Sequence, residues 1–174
     1  PVVAAAVVLP LDIDATWLGK VRDSKQLTAT ARQRLFRYIY QDAVAVGVGC
    51  TDSDDIDRIG IVPATRRAMR LAVESLAPPP EAVLIDYMTV PEIGLPQKGI
   101  TGGDRLCLSI ACASIVAKVT RDRMMASLDA TYPGYGFARH KGYCTRQHVA
   151  CLERLGPCPI HRRSFRPVRA VIRQ

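Results

Sequence analysis

The alternation of apolar and polar positions divides the chain into short strands and longer helices. Val2–Val8 is a run of valine and alanine, which predicts a strand. A loop with Asp23-Ser24-Lys25 follows. Thr30 is placed to cap a helix running to about Asp42, with Leu35, Phe36 and Ile39 along its apolar side. Val44–Cys50 alternates Val with Ala, Gly or Cys, the period of two of a strand. Asp52–Asp57 reads as an acidic turn. Pro63 opens a helix through Met69 and Leu71 to about Leu76, and Pro78-Pro79-Pro80 stops it. Ala82–Ile85 predicts a short buried strand closed by Asp86, followed by a loop rich in proline and glycine from Pro91 to Gly103. A long helix of Ala, Ser, Val, Ile and Met is expected over Leu106–Asp129, its small residues permitting close approach to a sheet. Tyr132–Gly136 is a turn. Thr145 caps a last helix to Leu155, ended by Gly156-Pro157. No repeat or linker interrupts this order. The expectation is one α/β domain over residues 1–174.

Composition adds a polarity to this outline. The 174 residues are 48% hydrophobic, enough to fill a core. No apolar run reaches the roughly 18–20 residues that span a bilayer. Pro1–Leu9 lacks a basic flank and a small-residue cleavage site, so it reads as strand rather than signal peptide. The net charge is +8. Residues 139–174 hold nine Lys or Arg against the single acid Glu153, which accounts for the whole excess, while residues 1–138 are balanced. A basic block of this kind points to a polyanion partner, the alternative being a solvated surface that aids solubility.

Six cysteines raise the question of disulfides or zinc. Cys107 and Cys112 sit in the small-residue helix and read as core fillers. Cys144, His148, Cys151, Cys158 and His161 form C-x3-H-x2-C-x6-C-x2-H, which lacks the paired short spacing of zinc sites. Reduced thiols in a cytoplasmic protein are the preferred reading.

Two carboxylates stand where metal chemistry could occur. Asp86 closes a strand, and in open α/β sheets the C-terminal strand ends are where sites form. Asp104 follows Gly102-Gly103 just before the long helix. Both offer hard oxygen ligands suited to Mg2+ or Mn2+. Both also have structural alternatives, a loop-capping Asp at 86 and a helix cap at 104.

The chain resembles the bacterial ribonuclease HII (type 2 ribonuclease H) family at many separate places. Asp23-Ser24-Lys25-Gln26-Leu27-Thr28 matches DSKxLT, and Ile56-Asp57 with Ala64–Met69 matches ID…ATxxAM. Leu84-Ile85-Asp86 matches LIDG, and Ser109–Arg123 matches SIAAASIxAKVTRDR with one change, Cys112 for Ala. Tyr132–Phe137, then His140-Lys141-Gly142-Tyr143 and Thr145, match YPxYGFxxHKGYxT. His161–Phe165 with Pro167-Val168 matches HRxSFxPV. The resemblance covers essentially the whole chain in order.

It implies a ribonuclease H-like α/β fold, a mixed five-stranded sheet flanked by helices with the first strand apparently missing from this chain. It implies an endonuclease that hydrolyses the RNA strand of RNA–DNA hybrids, including single ribonucleotides in duplex DNA, by two-metal phosphodiester cleavage with Mg2+ or Mn2+. Asp86 and Asp104 fall on the third and fourth family metal ligands and are the implied catalytic residues. Tyr143 falls on the tyrosine that packs on a sugar beside the RNA–DNA junction, and Ser24 and Lys25 on residues near a backbone phosphate. The implied partner is the hybrid or ribonucleotide-containing duplex, with no membrane and a monomeric protein.

The family's opening GVDEVGRG element, which carries its first two ligands and its Gly-Arg-Gly, lies before Pro1. A sequence incomplete at its start is the expectation; a truncated product or a deliberate fragment, poorly stable and inactive, is the alternative. Tyr87 replaces the Gly after the strand Asp and is expected to crowd the metal loop. Gly102-Gly103 carries no counterpart of the Lys of the family's KGD, so one positive charge beside Asp104 is gone. Two other functions compete with the nuclease: a non-catalytic nucleic-acid-binding protein with an incomplete metal site, and a zinc-stabilised module built on the Cys144–His161 cluster.

Overall fold

The computed structural model describes residues 1–173. Strand β1 (Val2–Val8) is followed by helix α1 (Ala29–Asp42), strand β2 (Ala45–Thr51), helices α2 (Ser53–Ile59) and α3 (Ile61–Glu74), strand β3 (Val83–Asp86) and strand β4 (Gln97–Ile100). Helices α4 (Gly103–Leu106), α5 (Leu108–Thr131), α6 (Phe137–His140), α7 (Arg146–Leu155) and α8 (Arg166–Ile172) complete it. The α/β class is as expected.

The strands stand as two pairs rather than as one continuous sheet. β1 and β2 run antiparallel from Val2 opposite Thr51 to Val8 opposite Ala45. β3 and β4 run parallel from Val83 opposite Gln97 to Asp86 opposite Ile100. Among the described residues each strand pairs along one edge only, and α5 packs against both β1 and β3.

The alternation in β2 is a packing instruction. Ala45, Gly47, Gly49 and Thr51 are buried on one face, towards α3. A Cβ at Gly47 would lie 2.0 Å from the Ala72 carbonyl oxygen, and one at Gly49 would lie 2.0 Å from that of Ala68. α3 answers with Ala64, Ala68 and Ala72, all buried and four residues apart, so helix and strand backbones approach closely. The opposite face of the pair, Ala5, Val7, Val46 and Val48, packs on Trp17, Leu35 and Ile39 and on Cys112, Ile115, Val116 and Val119 of α5. The result is a helix–sheet–helix sandwich. Cys112 is fully buried there, and burial pushes its thiol up to about 12, so it is an inert core filler as expected. Cys107 is half-buried and contacts the Ser109 hydroxyl.

Several local expectations are corrected. Thr28, not Thr30, caps α1, its hydroxyl accepting from the Ala31 amide at 3.2 Å. The segment expected as an acidic turn is α2, because the Asp52 carboxylate caps it by accepting from the Asp55 amide at 2.8 Å. The glycine-rich loop contains β4, too short for its period to show. β3 buries Ile85 but leaves Leu84 exposed. Thr145 caps α7 as expected, but α8 follows it and α6 precedes it. No helix among the described residues is long and apolar enough to cross a membrane.

Candidate metal centre and nucleic-acid face

Asp86 ends β3, half-buried, and its Oδ1 accepts a hydrogen bond from the Gly103 amide at 2.9 Å. That bond ties the strand end to the turn that carries Asp104 in the next position. The turn needs its glycines. Gly102 has φ +69°, and a Cβ at Gly103 would lie 2.6 Å from Ile110 Cδ1 and 3.4 Å from the Asp86 oxygen. The two carboxylates predicted from sequence are thus brought to one end of the β3–β4 pair. Both are oxygen donors, and Mg2+ or Mn2+ held by one or two carboxylates plus waters fits that set. No group of three or more His, Cys, Asp or Glu side chains among the described residues is arranged to hold a metal. The Cys144–His161 cluster therefore gathers no zinc site: Cys144 is exposed, and His148 and His161 hydrogen-bond each other.

Tyr87 does not crowd the loop that follows β3. Its side chain is 73% exposed, and the departure from glycine falls on the backbone, which takes φ +67° at this position. The left-handed region costs an L-residue roughly 1–2 kcal/mol.

Asp23, Gln26 and Asp104 line one cleft of about 410 Å³, together with Cys107, Leu108 and Ala111. Asp23 shapes its loop by accepting the Lys25 amide at 2.9 Å. Ser24 is buried and Lys25 is exposed. The loop is held from below by Arg32, which donates to the Ser24 carbonyl at 2.8 Å and the Leu27 carbonyl at 2.5 Å. Arg32 also lies 4.0 Å from Asp122, which receives Lys118 at 2.5 Å.

Lys118 leads to the last predicted residue. Its ammonium lies 5.4 Å from the Tyr143 ring centre, and the Arg121 guanidinium lies 5.3 Å from it. Tyr143 is 55% exposed, so one part of the ring rests on these cations while the rest meets solvent. Arg121 and Arg162 both donate to the Pro1 carbonyl, at 3.3 and 3.1 Å. Burial, and then the nearby Arg121, hold Arg162 below its ordinary value despite the opposing pull of Asp57. Arg121 Nη1 is buried and unpartnered among the described residues. Of the basic block, Arg139, Arg146, Arg154, Arg163, Arg166, Arg169 and Arg173 are exposed, whereas Lys141 and Arg162 are half-buried.

Sequence reading singled out Asp86, Asp104, Ser24, Lys25 and Tyr143 but not the network that joins Ser24 to Tyr143. Lys118, Arg121 and Asp122 lie inside a recognised stretch without an assigned part, and Arg32 lies outside every such stretch. The Lys118–Asp122 spacing of four on one helix was the one legible signal.

The family model described as Ribonuclease HII matches residues 1–168 of this chain. A Ribonuclease HII of Dehalococcoides mccartyi (strain ATCC BAA-2266 / KCTC 15142 / 195) is 53% identical over 171 residues, covering 98% of this chain and 81% of the relative. The crystal structure of the ribonuclease H2 from Pyrococcus horikoshii OT3 superposes with a TM-score of 0.78 at 25% identity, covering 98% of this chain and 91% of that one. The crystal structure of Bst-RNase HIII in complex with Mn2+ matches with a TM-score of 0.67 at 20% identity, covering 98% of this chain and 64% of that one, a likeness of fold.

Proposed function

Because this chain belongs to the ribonuclease HII family, we propose that it cuts the RNA strand of RNA–DNA hybrids, including a single ribonucleotide embedded in duplex DNA, with Asp86 and Asp104 as metal ligands. Family membership makes it a ribonuclease H, a hydrolase of phosphodiesters. The single observation that carries the assignment of the site is the Gly103 amide bound to Asp86 Oδ1, which joins the strand-end carboxylate to the turn bearing Asp104.

Asp86 and Asp104 would hold Mg2+ or Mn2+ through carboxylate oxygens. When bound, two such ions activate a water and stabilise the leaving 3′ oxygen. The Gly103 amide occupies one oxygen of Asp86 and orients the carboxylate, leaving the other for a ligand. Lys25 offers an exposed ammonium to a backbone phosphate, and Ser24 forms the turn that presents it. Tyr143 offers a ring face to a sugar beside the junction, where a 2′-hydroxyl decides the fit. The exposed arginines of 139–173 contact phosphates, so affinity falls as salt rises. Residues 1–174 act as one domain in this reading.

The test is cleavage, by the full-length protein, of duplex DNA containing one ribonucleotide, with Mg2+ or Mn2+ supplied. We expect a cut on the 5′ side of the ribonucleotide. Asp86→Asn removes a ligand charge without changing shape, so cleavage falls more than about 100-fold while duplex binding is largely kept. Retained cleavage in Asp86→Asn would refute its role. Binding without cleavage by the unaltered protein would favour a non-catalytic binding protein.

A further inference from the structure

We infer that His140, His148 and His161 form a set of neutral imidazoles in one fixed tautomeric order, and that His148 is thereby a positioning residue for Tyr143. The consequence for cleavage rests on the reading of Tyr143 given above; the imidazole order does not.

Two backbone amides determine the order, because an N–H can only donate. The Gly142 amide donates to His140 Nδ1 at 3.1 Å, so that nitrogen is bare. Nε2 then carries the hydrogen and donates to the Tyr135 carbonyl at 2.7 Å. The Cys158 amide donates to His161 Nδ1 at 3.0 Å, so that nitrogen is bare as well; the Cys158 carbonyl oxygen, 3.3 Å from it, already accepts the His161 amide at 3.0 Å. His161 Nε2 carries its hydrogen and faces His148 Nε2 at 3.2 Å, which must accept. The hydrogen of His148 is left on Nδ1, 3.0 Å from the Tyr143 carbonyl oxygen, to which it donates. A signal that starts at the Cys158 amide thus ends at the backbone of Tyr143.

Among the described residues, the segment held this way makes only two backbone bonds of its own around Tyr143, the Tyr143 amide donating to the His140 carbonyl at 2.9 Å and the Thr145 amide donating to the Tyr143 carbonyl at 2.8 Å, so His148 is the side chain added to them. Lys141 and Gly142 both have positive φ, +53° and +77°, and Tyr143 is half exposed. His140 grips the segment at one end and His148 at the other, and their rings stack with centres 4.3 Å apart. All three imidazoles are buried, so an unmade bond here costs more than one at the surface.

An imidazolium has no acceptor nitrogen. Protonating His161 evicts the Cys158 amide, and protonating His148 sets two donors against each other. The groups facing the pair are His140, Tyr135, Cys158 and, around an adjoining cavity of about 420 Å³, Arg121, Cys144, Tyr143 and Arg162. None of these is a carboxylate to favour a charged ring. Burial first, and the neighbouring imidazoles after it, hold His148 and His161 below their ordinary range.

The experiment uses the full-length protein, its His148→Asn and His148→Leu variants, and Tyr143→Ala. Imidazole nitrogen NMR reads the tautomers, backbone amide shifts read the 140–145 segment, and cleavage between pH 5.5 and 8 gives the ratio of junction to all-RNA substrate. We expect bare Nε2 on His148 and bare Nδ1 on His161 at pH 7.5. We expect His148→Leu to shift the Tyr143 amide and lower the ratio about fivefold at every pH, the worth of one hydrogen bond. In His148→Asn, whose amide donates from the place of Nδ1 without titrating, the ratio is retained and its fall in acid is shallower. A bare Nδ1 on His148 overturns the inference. So does a folded His148→Leu in which the Tyr143 amide and the ratio both stay put. If Tyr143→Ala leaves the ratio unchanged while the tautomers are as stated, the part of Tyr143 in substrate choice fails and the imidazole order stands. Should His148→Leu not fold, the tautomers and the pH profile of His148→Asn decide alone.

Discussion

Asp57 on α2 and Ser164 near the C-terminus are joined by two hydrogen bonds: the Ser164 amide donates to Asp57 Oδ1 at 2.9 Å and the Ser164 hydroxyl donates to the same oxygen at 2.5 Å. The Arg163 amide adds a third at 2.6 Å to Oδ2. Burial pushes the Asp57 carboxyl up, but these bonds and the nearby Arg162 outweigh it and hold the group below its ordinary value of 3.8. The ID and HRxSF motifs are therefore two halves of one clasp. Asp57→Ala should lower stability by about 1 kcal/mol, below the roughly 1.5–3 kcal/mol of a bond to a charged group because the carboxylate is largely solvated. Urea unfolding measures it, and Asp57→Asn should fall between the two. The contribution is present above pH 3.8 and is lost as pH falls through the depressed folded value. An unchanged midpoint in Asp57→Ala would remove the clasp from the stability account.

Tyr87 carries the opposite sign. It holds φ +67° with its side chain mostly in water, so little packing offsets the backbone cost. Tyr87→Gly should raise stability by about 0.5–1 kcal/mol after allowing for the freer unfolded chain. Tyr87→Ala keeps a Cβ and should not. Thermal melts of the three proteins distinguish strain from loss of the ring.

Tyr143 rests on Lys118 and Arg121, and its outer part is free. Tyr143→Ala should reduce the preference for a junction over an all-RNA hybrid more than it reduces duplex affinity, and Tyr143→Phe should keep most of that preference. Cleavage ratios against binding constants at one salt concentration provide the check. Equal losses in both would mark Tyr143 as a general contact.

Acid should weaken the fold through His148 and His161. Their folded values lie below the ordinary 6.5, so an unfolded chain takes up protons first as pH falls. Stability from this source is fully present above pH 6.5 and is lost as pH drops through the folded values. Tm measured from pH 8 to 5 should be level and then fall below about 6.5. A steady Tm across that range would show that neither imidazole is held neutral.

Local pattern decided a large part of this protein. The run Val2–Val8, the alternation of Val44–Cys50 and the small-residue helix each express a period that neighbouring atoms impose, and each appears within a few residues of its expected place. For Asp86 and Asp104 position alone left a loop cap and a helix cap open, and their proposed part as ligands came from the resemblance. What failed was local structure set by one side chain, as at α2, where the Asp52 cap turns an acidic turn into a helix, or by a partner strand, as at β4. The histidines show the limit most clearly. Along the chain His148 and His161 are thirteen residues apart among cysteines, a spacing that matches no usual zinc pattern and says nothing further of what the rings do. Folded, their rings face each other and their lone pairs are already used. Spacing reports which groups are near in sequence, whereas the direction of a donor or a lone pair exists only once the backbone around it is fixed.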